Sequence, residues 1–422
     1  MKFKTPTGTS DFFAPESKEI ELLVAGFAKI TEKLGYSLLL TPIFEDSELF
    51  RRGAGETTDI VTKEMYEFTD RSDRKLTLKP EGTTSAIRAF IEHSYSTPFK
   101  CWYLTPAFRY EKPQAGRYRQ HHQLGIELLG PDSYFADIEV IYILIKFIES
   151  LGLKQFKLLI NSMGHRDCRN LYKQKLLDYL TFNEDRLCDD HKLRYKINPL
   201  RILDCKKTEC ISVVVEAPLL IDYLCEDCRS HHESVLNGLD NLGIIYEAAP
   251  TLVRGFDYYS RTTFEVQSLA LNSSQSAIGG GGRYDNLVAS LGGVETAGIG
   301  FGIGIERLLL VMKAESIRLN EIPSCDVFIV NLAKEFLPMR LADKLLSSNI
   351  KVSYSYEQSS MKSQMRQADK STAKIALIVG DSELKESEVT IKNLIDSSQY
   401  RCPIERVVQD IKKLLTTIES KH

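Results

Sequence analysis

The spacing of apolar residues near the amino terminus predicts a helix from about residue 16 to residue 35. Alternating steps of three and four residues form one apolar stripe, made of Ile20, Leu23, Phe27, Ile30 and Leu34. Pro15 near its start and Gly35 just past its end are typical helix boundaries. A short strand is predicted at 37–41, and the charged, glycine-containing stretch 50–73 is predicted to be mostly loop.

From residue 76 onward the pattern changes to that of an antiparallel sheet. A strand at 76–79 and a helix at 81–93 precede two alternating strands, 101–110 and 120–129. The residues expected to pack inward from the second of these strands are Leu124, Ile126 and Leu128. Alternation then places Tyr103 with Arg109 on one face, and Gln123 with Glu127 on another. A helix at 137–149 and a strand at 156–160 are predicted to follow.

The second half of the chain divides into an interruption and a return of strands. Residues from about 165 to 245 break the sheet pattern and are predicted to be a helical insertion. The strands predicted after it are 252–259, 262–267 and 277–280, followed by glycines 298, 300, 302 and 304 and a helix at 306–312. Residues 325–422 alternate strands and helices, which predicts a small α/β domain.

Composition places the chain among globular proteins. Its 422 residues, 43% of them hydrophobic and 26% charged, can bury a large core, which excludes disordered, collagenous and small disulfide-stapled classes. The longest apolar run, 140–145, is too short to span a membrane, and the amino terminus lacks a signal-peptide core. A cytoplasmic location is therefore expected. A net charge of −3 argues against nonspecific polyanion binding by the whole chain.

Cysteines are concentrated in the predicted insertion. Five of the nine lie between 188 and 228. The spacing C-x₄-C followed by C-x₂-C indicates a possible four-thiolate zinc site at Cys205, Cys210, Cys225 and Cys228. The alternative is a set of reduced, partly buried thiols that bind no metal.

Arginines on rigid elements are the main candidates for chemistry, because the chain has no phosphate loop, zinc helix, nucleophile elbow or dinucleotide fingerprint. An Arg109 fork on a strand suits a phosphate, and Gln123 with Glu127 suits an amino group or a ring N–H. Arg307 begins a helix, where anions are favoured. The alternative in each case is an ordinary solvated salt bridge or surface arginine.

Arg254 is less ordinary, because it lies among apolar and aromatic residues in LVRGFDYY (252–259). A guanidinium there needs a ligand or a carboxylate partner, and Asp257 is the candidate partner. The glycines of GGGGRYD (279–285) either allow close approach of a ligand or make a tight bend.

Five segments together resemble the histidyl-tRNA synthetases, a family of class II aminoacyl-tRNA synthetases, over essentially the full chain. They are residues 41–68, LTLKPEGTT (76–84), FRYEKPQAGRYRQHHQLGIELLG (108–130), LVRGFDYY with GGGGRYDNL (279–287), and GFGIGIERLLL (300–310). The resemblance implies an α+β catalytic domain built on an antiparallel sheet at 1–322, with the helical insertion at about 165–245. Residues 325–422 would be an α/β anticodon-binding domain.

The resemblance also implies roles for individual residues. The predicted catalytic residues are Arg109, Arg254 and Arg307, which would contact the ATP phosphates. The predicted ATP-binding set is Arg109, Glu111, Arg254 and Arg307. The predicted histidine-binding set is Glu81, Gly82, Thr83, Arg109, Gln123, Glu127, Arg254, Tyr258 and Tyr259. The loop residues predicted to contact tRNA are Lys112, Gln114, Arg117 and Arg119.

The implied reaction is ATP-dependent attachment of L-histidine to tRNA(His), through histidyl-adenylate, by a homodimer. Mg²⁺ would accompany the ATP phosphates. Lys362, Arg366 and Lys370 lie four apart and would form a phosphate-tracking stripe, or else an ordinary solvated helix face. The alternative function is that of the histidine-binding regulatory subunit of ATP phosphoribosyltransferase, which resembles these synthetases but lacks an anticodon domain.

Overall fold

The computed structural model describes residues 3–55, 58–114, 116–271, 275–319, 325–334 and 336–420. The chain forms two compact units, residues 1–319 and residues 320–422. The predicted domain limit at residue 322 lies outside the described residues. Within the described ranges, no helix combines the length and the apolar character needed to cross a membrane.

The first unit combines strands and helices in an order close to that predicted. Its strands are β1 (Ser37–Leu38), β2 (Phe44–Asp46), β3 (Tyr66–Thr69), β4 (Lys75–Leu78), β5 (Phe99–Phe108), β6 (Gln120–Gly130), β7 (Phe156–Ser162), β8 (Glu247–Ala248), β9 (Ser260–Ser268), β10 (Ala277–Arg283) and β11 (Ala297–Gly304). Its helices are α1 (Glu16–Glu32), α2 (Ser47–Ala54), α3 (Thr83–Glu92), α4 (Tyr134–Ser150), α5 (Arg166–Phe182), α6 (Asp189–Arg194), α7 (Thr208–Val215), α8 (Glu226–Asn241), α9 (Leu287–Ser290) and α10 (Ile305–Ala314). A π-helical turn at Ile60–Glu64 and 3₁₀ turns at Glu184–Arg186, Pro199–Asp204 and Leu220–Tyr223 complete the unit.

A large, mostly antiparallel sheet organises this unit. In the described part of the chain, eight strands follow the order β1-β5-β6-β11-β10-β9-β7-β8, with parallel pairing only at the two outer pairs. A smaller antiparallel sheet has the order β2-β4-β3. The antiparallel α+β fold predicted for the catalytic domain is confirmed.

One face of the large sheet is covered by helices. Leu23 and Phe27 of α1 are fully buried and pack with apolar residues of α4 and of the sheet, and the rings of Phe27 and Phe147 lie 5.0 Å apart. Leu124, Ile126 and Leu128 point into this core, as alternation predicts. Because alternate residues of a strand face opposite ways, the polar residues between them lie on the other face of the sheet.

Two predicted elements are wrong. The stretch 50–73 is not mostly loop, because it contains most of α2, the π-helical turn and β3. Helix α2 begins where the Asp46 carboxylate accepts a hydrogen bond from the Glu48 N–H at 2.8 Å, and it buries Phe50 and Ala54. Residues 252–259 are not a strand; the neighbouring strand β9 begins only at Ser260.

The insertion is helical and has a small apolar core of its own, made by α5, α7, α8 and the turns between them. The predicted four-cysteine zinc site is wrong in its grouping. The structure places Cys205 and Cys210 with Cys188 and His191, whereas Cys225 and Cys228 lie with His165 and Cys168. Spacing along the chain therefore combined the C-x₄-C pair and the C-x₂-C pair into one site, whereas the fold places them in two groups.

The second unit is the small α/β structure that alternation predicted. Its elements are β12 (Val327–Asn331), α11 (Met339–Leu346), β13 (Val352–Tyr354), α12 (Met361–Lys370), β14 (Ile375–Val379), α13 (Asp381–Lys385), β15 (Glu388–Asn393), β16 (Gln399–Pro403) and α14 (Val407–Glu419). The sheet order is β13-β12-β14-β15-β16, parallel among the first three strands and antiparallel after β14. Strand β16 and helix α13 carry no periodic signal long enough to predict them.

Candidate active site

A cavity of about 720 Å³ opens on the polar face of the large sheet. The predicted site residues that line it are Glu81, Thr83, Arg109, Glu111, Arg117, Gln123, Arg254, Tyr258, Tyr259 and Arg307. Gly82 and Glu127, two of the predicted histidine-binding residues, do not line it, but they are hydrogen-bonded to Gln123 and Tyr284, which do. Residues separated by more than two hundred positions in the chain thus meet in one place.

Glu127 lies beneath the floor of the cavity and is completely buried. Its carboxylate accepts hydrogen bonds from the Tyr103 hydroxyl at 3.0 Å and from the Tyr284 hydroxyl. Burial raises the pKa of Glu127 to about 8, while the hydrogen bonds from neighbouring hydroxyls act in the opposite direction. The side chain is a buried acid directly beneath the cavity lining, and both of its oxygens are bonded to tyrosine hydroxyls.

Glycines of β11 make room for this acid and for its neighbour Gln123. Gly300 is paired with Glu127, and Gly302 lies beside Gln123. A Cβ atom at either glycine would overlap the adjacent polar side chain. Gly300 and Gly302 therefore leave room for the two polar side chains at the floor of the cavity.

Glu81 and Gln123 are already engaged with the start of α3. The Glu81 carboxylate accepts hydrogen bonds from the N–H groups of Thr83 at 2.6 Å and Thr84 at 2.8 Å. The Gln123 side-chain oxygen accepts from the Gly82 N–H at 3.1 Å. These bonds fix both side chains at the cavity wall and satisfy N–H groups that the helix leaves unpaired.

Arg109 follows directly after β5 and enters the cavity from its edge. Its Nε donates to the Pro80 carbonyl at 3.0 Å, and the guanidinium lies 5.7 Å from the centroid of the Phe256 ring. The backbone bond and the aromatic face together orient the planar fork. His121, also on the cavity wall, has its pKa lowered to about 3 by burial and by Arg109, so it is neutral there.

Arg254 has an acidic partner, and that partner is Glu265 of β9. Nη1 of Arg254 lies 2.5 Å from the Glu265 carboxylate. The Nε of Arg254 is buried and has no hydrogen-bond partner among the described residues. The sequence suggested Asp257 as the carboxylate partner of Arg254, but the residue in this ion pair is Glu265. Gly280 leaves space for the guanidinium, because a Cβ there would lie 2.8 Å from Nη1.

Arg307 lies in the first turn of α10 and reaches back across the cavity. Its Nη1 donates to the Gln275 carbonyl at 2.5 Å and its Nη2 donates to the Gly116 carbonyl. Burial and the nearby Arg117 lower the pKa of Arg307 below its ordinary value. Its Nε is also buried without a hydrogen-bond partner in the described ranges. Unpaired donors on Arg254 and Arg307 favour an anionic ligand.

The irregular segment 252–259 is held in place by the insertion. Arg169 of α5 donates to the carbonyls of Asp257 at 3.1 Å and Tyr259 at 2.6 Å, and Arg201 donates to the Gly255 carbonyl at 2.8 Å. The rings of Phe256 and Tyr258 stack 5.1 Å apart within this segment. The backbone around Arg254 thus depends on contacts from a distant part of the chain.

The loop between β5 and β6 carries the residues predicted to contact tRNA. Lys112, Gln114 and Arg117 are exposed, and Arg117 lies 3.6 Å from the Glu111 carboxylate. Arg119 is half-buried, with its guanidinium 4.0 Å from the centroid of the Tyr110 ring. Of these residues, Arg117 is the one that lines the cavity.

Sequence reasoning missed several residues of the site, and Tyr284 and Glu265 are two of them. Tyr284 follows the glycines of GGGGRYD, which belong to strand β10, with a register irregularity between Gly282 and Arg283, and do not form a tight bend. The alternation of β9 could have indicated Glu265, because Phe264 and Val266 on either side of it point into the core. Two insertion residues, Asp204 and Lys206, also line the cavity and had no signal in the sequence.

Comparison with known proteins gives a consistent result. The family model described as histidyl-tRNA synthetase matches residues 8–167 and 220–308, and one described as an anticodon binding domain matches 326–414. Histidine–tRNA ligases of Caldanaerobacter subterraneus subsp. tengcongensis and Halothermothrix orenii are 45% and 44% identical to this chain, covering 98% of it and 100% of each relative.

Solved structures agree with the sequence matches. Apo histidyl-tRNA synthetase of S. aureus has a TM-score of 0.81 at 34% identity, covering 97% of this chain and 100% of that one. An ATP phosphoribosyltransferase regulatory subunit/histidyl-tRNA synthetase from Bacillus halodurans has a TM-score of 0.66 at 18% identity, covering 90% and 99%, which shows a shared fold alone. The chain belongs to the histidyl-tRNA synthetase family of class II aminoacyl-tRNA synthetases.

Proposed function

We propose that this chain attaches L-histidine to tRNA(His) at the expense of ATP, in two chemical steps. The observation that carries the proposal is a buried acid, Glu127, beneath a cavity whose walls bear Arg109, Arg254 and Arg307. An acid in a dry site suits a ring N–H, and converging arginines suit a carboxylate with phosphates. Histidine and ATP together present these groups.

Histidine recognition is assigned to the floor and one wall of the cavity. The Glu127 carboxylate would accept the imidazole N–H, with Tyr258 and Tyr259 enclosing the ring. The α-amino group would lie near Glu81, Gly82, Thr83 and Gln123, which are already ordered by hydrogen bonds at the start of α3. A site built around such a hydrogen bond rejects side chains that lack the ring N–H.

Activation would be an in-line displacement at phosphorus. A carboxylate oxygen of histidine attacks the α-phosphorus of ATP, the bond from that phosphorus to the bridging oxygen breaks, and pyrophosphate leaves with the electron pair. Arg109 and Arg254 would stabilise charge on the α-phosphate from two sides, and Arg307 would bind the γ-phosphate. No covalent protein intermediate is required, because positioning and preorganised charge supply the acceleration.

Mg²⁺ would enter with the nucleotide. Oxygen ligands are what this ion requires, and the cavity wall offers the Glu111 carboxylate, 3.6 Å from its arginine partner. Glu111 would hold the hydrated ion against the phosphates, where the ion supplies charge neutralisation. Arg254 and Glu265 would remain a protein-only pair on the opposite side.

Transfer would follow by attack of a terminal ribose hydroxyl of tRNA on the histidyl carbonyl, with AMP as the leaving group. The exposed loop residues Lys112, Gln114 and Arg117, with Arg119, would meet the acceptor end. In the second unit, Lys362, Arg366 and Lys370 are all exposed on α12, which supports a role in binding phosphates near the anticodon. The cytoplasm is the expected location.

Histidine-dependent exchange of radioactive pyrophosphate into ATP tests this proposal. The exchange should require L-histidine and should be absent with the other amino acids. A chain that binds histidine tightly but catalyses no exchange would instead act like the regulatory subunit of ATP phosphoribosyltransferase. That alternative is less supported, because residues 326–414 match the family model of an anticodon binding domain.

We also expect a homodimer. Apolar side chains around edge strand β1 are 48% to 75% exposed, namely Leu38, Leu40, Ile43 and Phe44. Sedimentation at micromolar concentration should give twice the chain mass, and Leu40→Glu should shift the protein to the monomer. Leu193→Glu, a matched change at a 79% exposed site in the insertion, should leave the dimer intact. A wild-type monomer with full activity would contradict this expectation.

A further inference from the structure

Soft metal ligands form two compact groups in the insertion. Among the described residues, the first ligand group is His165, Cys168, Cys225 and Cys228, and the second ligand group is Cys188, His191, Cys205 and Cys210. Within each group all ligand atoms lie within 4.8 Å of one another. We propose that each group binds one structural zinc ion through three thiolates and one imidazole.

Distances in the first ligand group fit a single tetrahedral ion. Nδ1 of His165 lies 3.0 Å from the Cys168 sulfur, 3.4 Å from that of Cys228 and 3.8 Å from that of Cys225. Zinc bonds of about 2.3 Å to sulfur and about 2.0 Å to nitrogen would separate tetrahedral ligands by roughly 3.5 Å. The ion therefore fits between these atoms with only small side-chain adjustments.

Groups around the first ligand group support bound thiolates and a bound imidazole. The backbone N–H of His165 donates to the Cys228 sulfur at 3.3 Å, and that of Cys225 donates to the Cys168 sulfur at 3.2 Å. On the far side of the ring, Nε2 of His165 lies 3.5 Å from the Asp167 carboxylate. A carboxylate on the nitrogen that does not bind metal is a common support for a histidine ligand.

The second ligand group repeats this arrangement. Nδ1 of His191 lies 3.2 Å from the Cys188 sulfur and 3.8 Å from the Cys210 sulfur, and the Cys188 N–H donates to the Cys210 sulfur at 3.4 Å. In both groups the ligands come in short segments at the beginnings of helices α5, α6, α7 and α8. The same set of three cysteines and one histidine is thus built twice, from two different pairs of segments.

Free thiols explain this packing less well than a metal does. A ring nitrogen can make one hydrogen bond, whereas Nδ1 of His165 faces three sulfur atoms at once. Cys168, Cys188, Cys210 and Cys228 are buried in the core of the insertion, and the described cysteines form no disulfide. One ion in each group would satisfy all four ligands and cross-link the segments that carry them.

The zinc ions would act on the active site through its supporting backbone. Cys168 directly precedes Arg169, which holds the carbonyls of Asp257 and Tyr259, and Cys205 lies between the cavity residues Asp204 and Lys206. The ions would therefore fix the segment that carries Arg254 without touching substrate. The family model leaves residues 168–219 unmatched, and the second ligand group lies entirely within that range.

Elemental analysis of protein purified without chelators tests the proposal. We expect about two zinc ions per chain, with an X-ray absorption spectrum that fits three sulfurs and one nitrogen. Cys228→Ser and Cys210→Ser should each lower the zinc content to about one per chain. Cys325→Ser and Cys402→Ser, at buried cysteines of the second unit, should leave the zinc content unchanged.

Three results would overturn the proposal. The first is metal-free wild-type protein whose insertion cysteines all react with an alkylating agent in native buffer. The second is a zinc content that the ligand variants do not lower. The third is a wild-type content of one zinc per chain that only substitutions in one of the two ligand groups remove. If the serine variants fail to fold, cobalt-substituted wild-type protein decides the matter, since tetrahedral thiolate coordination gives intense visible bands and octahedral coordination does not.

Discussion

Replacing Arg254 with alanine should slow the formation of histidyl-adenylate by at least ~10²-fold, which is the usual scale for loss of one preorganised donor. The guanidinium is in place before substrate binds, because Glu265 holds Nη1 at 2.5 Å while Nε lacks a partner in the described part of the chain. Arg254→Lys should restore little activity, since an ammonium cannot reproduce the planar fork. Single-turnover kinetics of the first half-reaction measures the effect.

Folding and catalysis can be separated at this position. Arg254→Ala leaves the Glu265 carboxylate without its arginine, so some thermal stability should be lost. The double variant Arg254→Met/Glu265→Gln removes both charges and should recover the melting temperature while adenylate formation stays slow. Transfer from preformed adenylate to tRNA should be much less affected than activation. Recovery of adenylate formation in the double variant would remove Arg254 from the catalytic set.

Replacing Glu127 with glutamine should lower kcat/KM for histidine by roughly 10-fold to 10²-fold, because a hydrogen bond to a charged group contributes about 1.5–3 kcal/mol. A donating imidazole N–H would favour loss of the Glu127 proton on binding, and glutamine keeps the shape of the carboxylate but cannot ionise. Histidine titration in the pyrophosphate-exchange assay measures the loss. Glu48→Gln, at an exposed surface carboxylate of α2, should leave kcat/KM unchanged.

The same substitution should stabilise the ligand-free protein at alkaline pH. Burial raises the folded-state pKa of Glu127 from its ordinary value of 4.5 to about 8, so the folded protein resists losing this proton. The stability from the protonated acid is complete below pH 4.5 and is lost as the pH rises through 8. Glu127→Gln avoids that loss, so its melting temperature should exceed that of the wild type by a few °C at about pH 8.5.

At about pH 5 the melting temperatures of Glu127→Gln and the wild type should be nearly equal. At that pH the Glu127 carboxyl group is largely protonated in the folded state and only partly ionised in the unfolded state. Melting curves of both proteins across this pH range give the comparison. A difference in melting temperature that does not vary with pH would contradict a raised pKa at Glu127. Unchanged use of histidine by a well-folded Glu127→Gln protein would exclude the proposed role of the carboxylate.

Periodicity predicted the parts of the fold that depend on local pattern. The apolar stripe of α1 and the inward-facing residues of β6 both pack into the main core. The spacing of Leu23, Phe27, Leu124 and Ile126 therefore predicted correctly that these side chains are buried. The alternation of β6 also placed Gln123 and Glu127 on the polar face. These signals are reliable because one continuous face of each element is buried.

Features that depend on distant contacts could not be predicted in this way. The aromatic segment 252–259 has the composition of a strand, but its carbonyls are bonded to Arg169 and Arg201 of the insertion instead of to a neighbouring strand. Arg254 pairs with the carboxylate of Glu265, eleven residues away on the next strand, although Asp257 is closer along the chain. Sequence proximity was a poor guide to which charges meet.

The cysteine-rich insertion illustrates the same limit. Spacing among Cys205, Cys210, Cys225 and Cys228 suggested one site, whereas the fold divides these residues between two groups. Histidines at the matching spacing complete both groups, in HRDC (165–168) and CDDH (188–191). Counting histidines together with cysteines would have found the segments, but only the fold shows which segments face each other.

Charging of purified tRNA(His) with labelled histidine is the most direct test of the central claim, that this cavity activates histidine and transfers it to tRNA. The wild-type chain should acylate tRNA(His) in an ATP-dependent reaction and should not acylate tRNAs for other amino acids. The charged product should release histidine, and no other amino acid, on mild alkaline hydrolysis. Protein that binds histidine and ATP but leaves tRNA(His) uncharged would contradict the account.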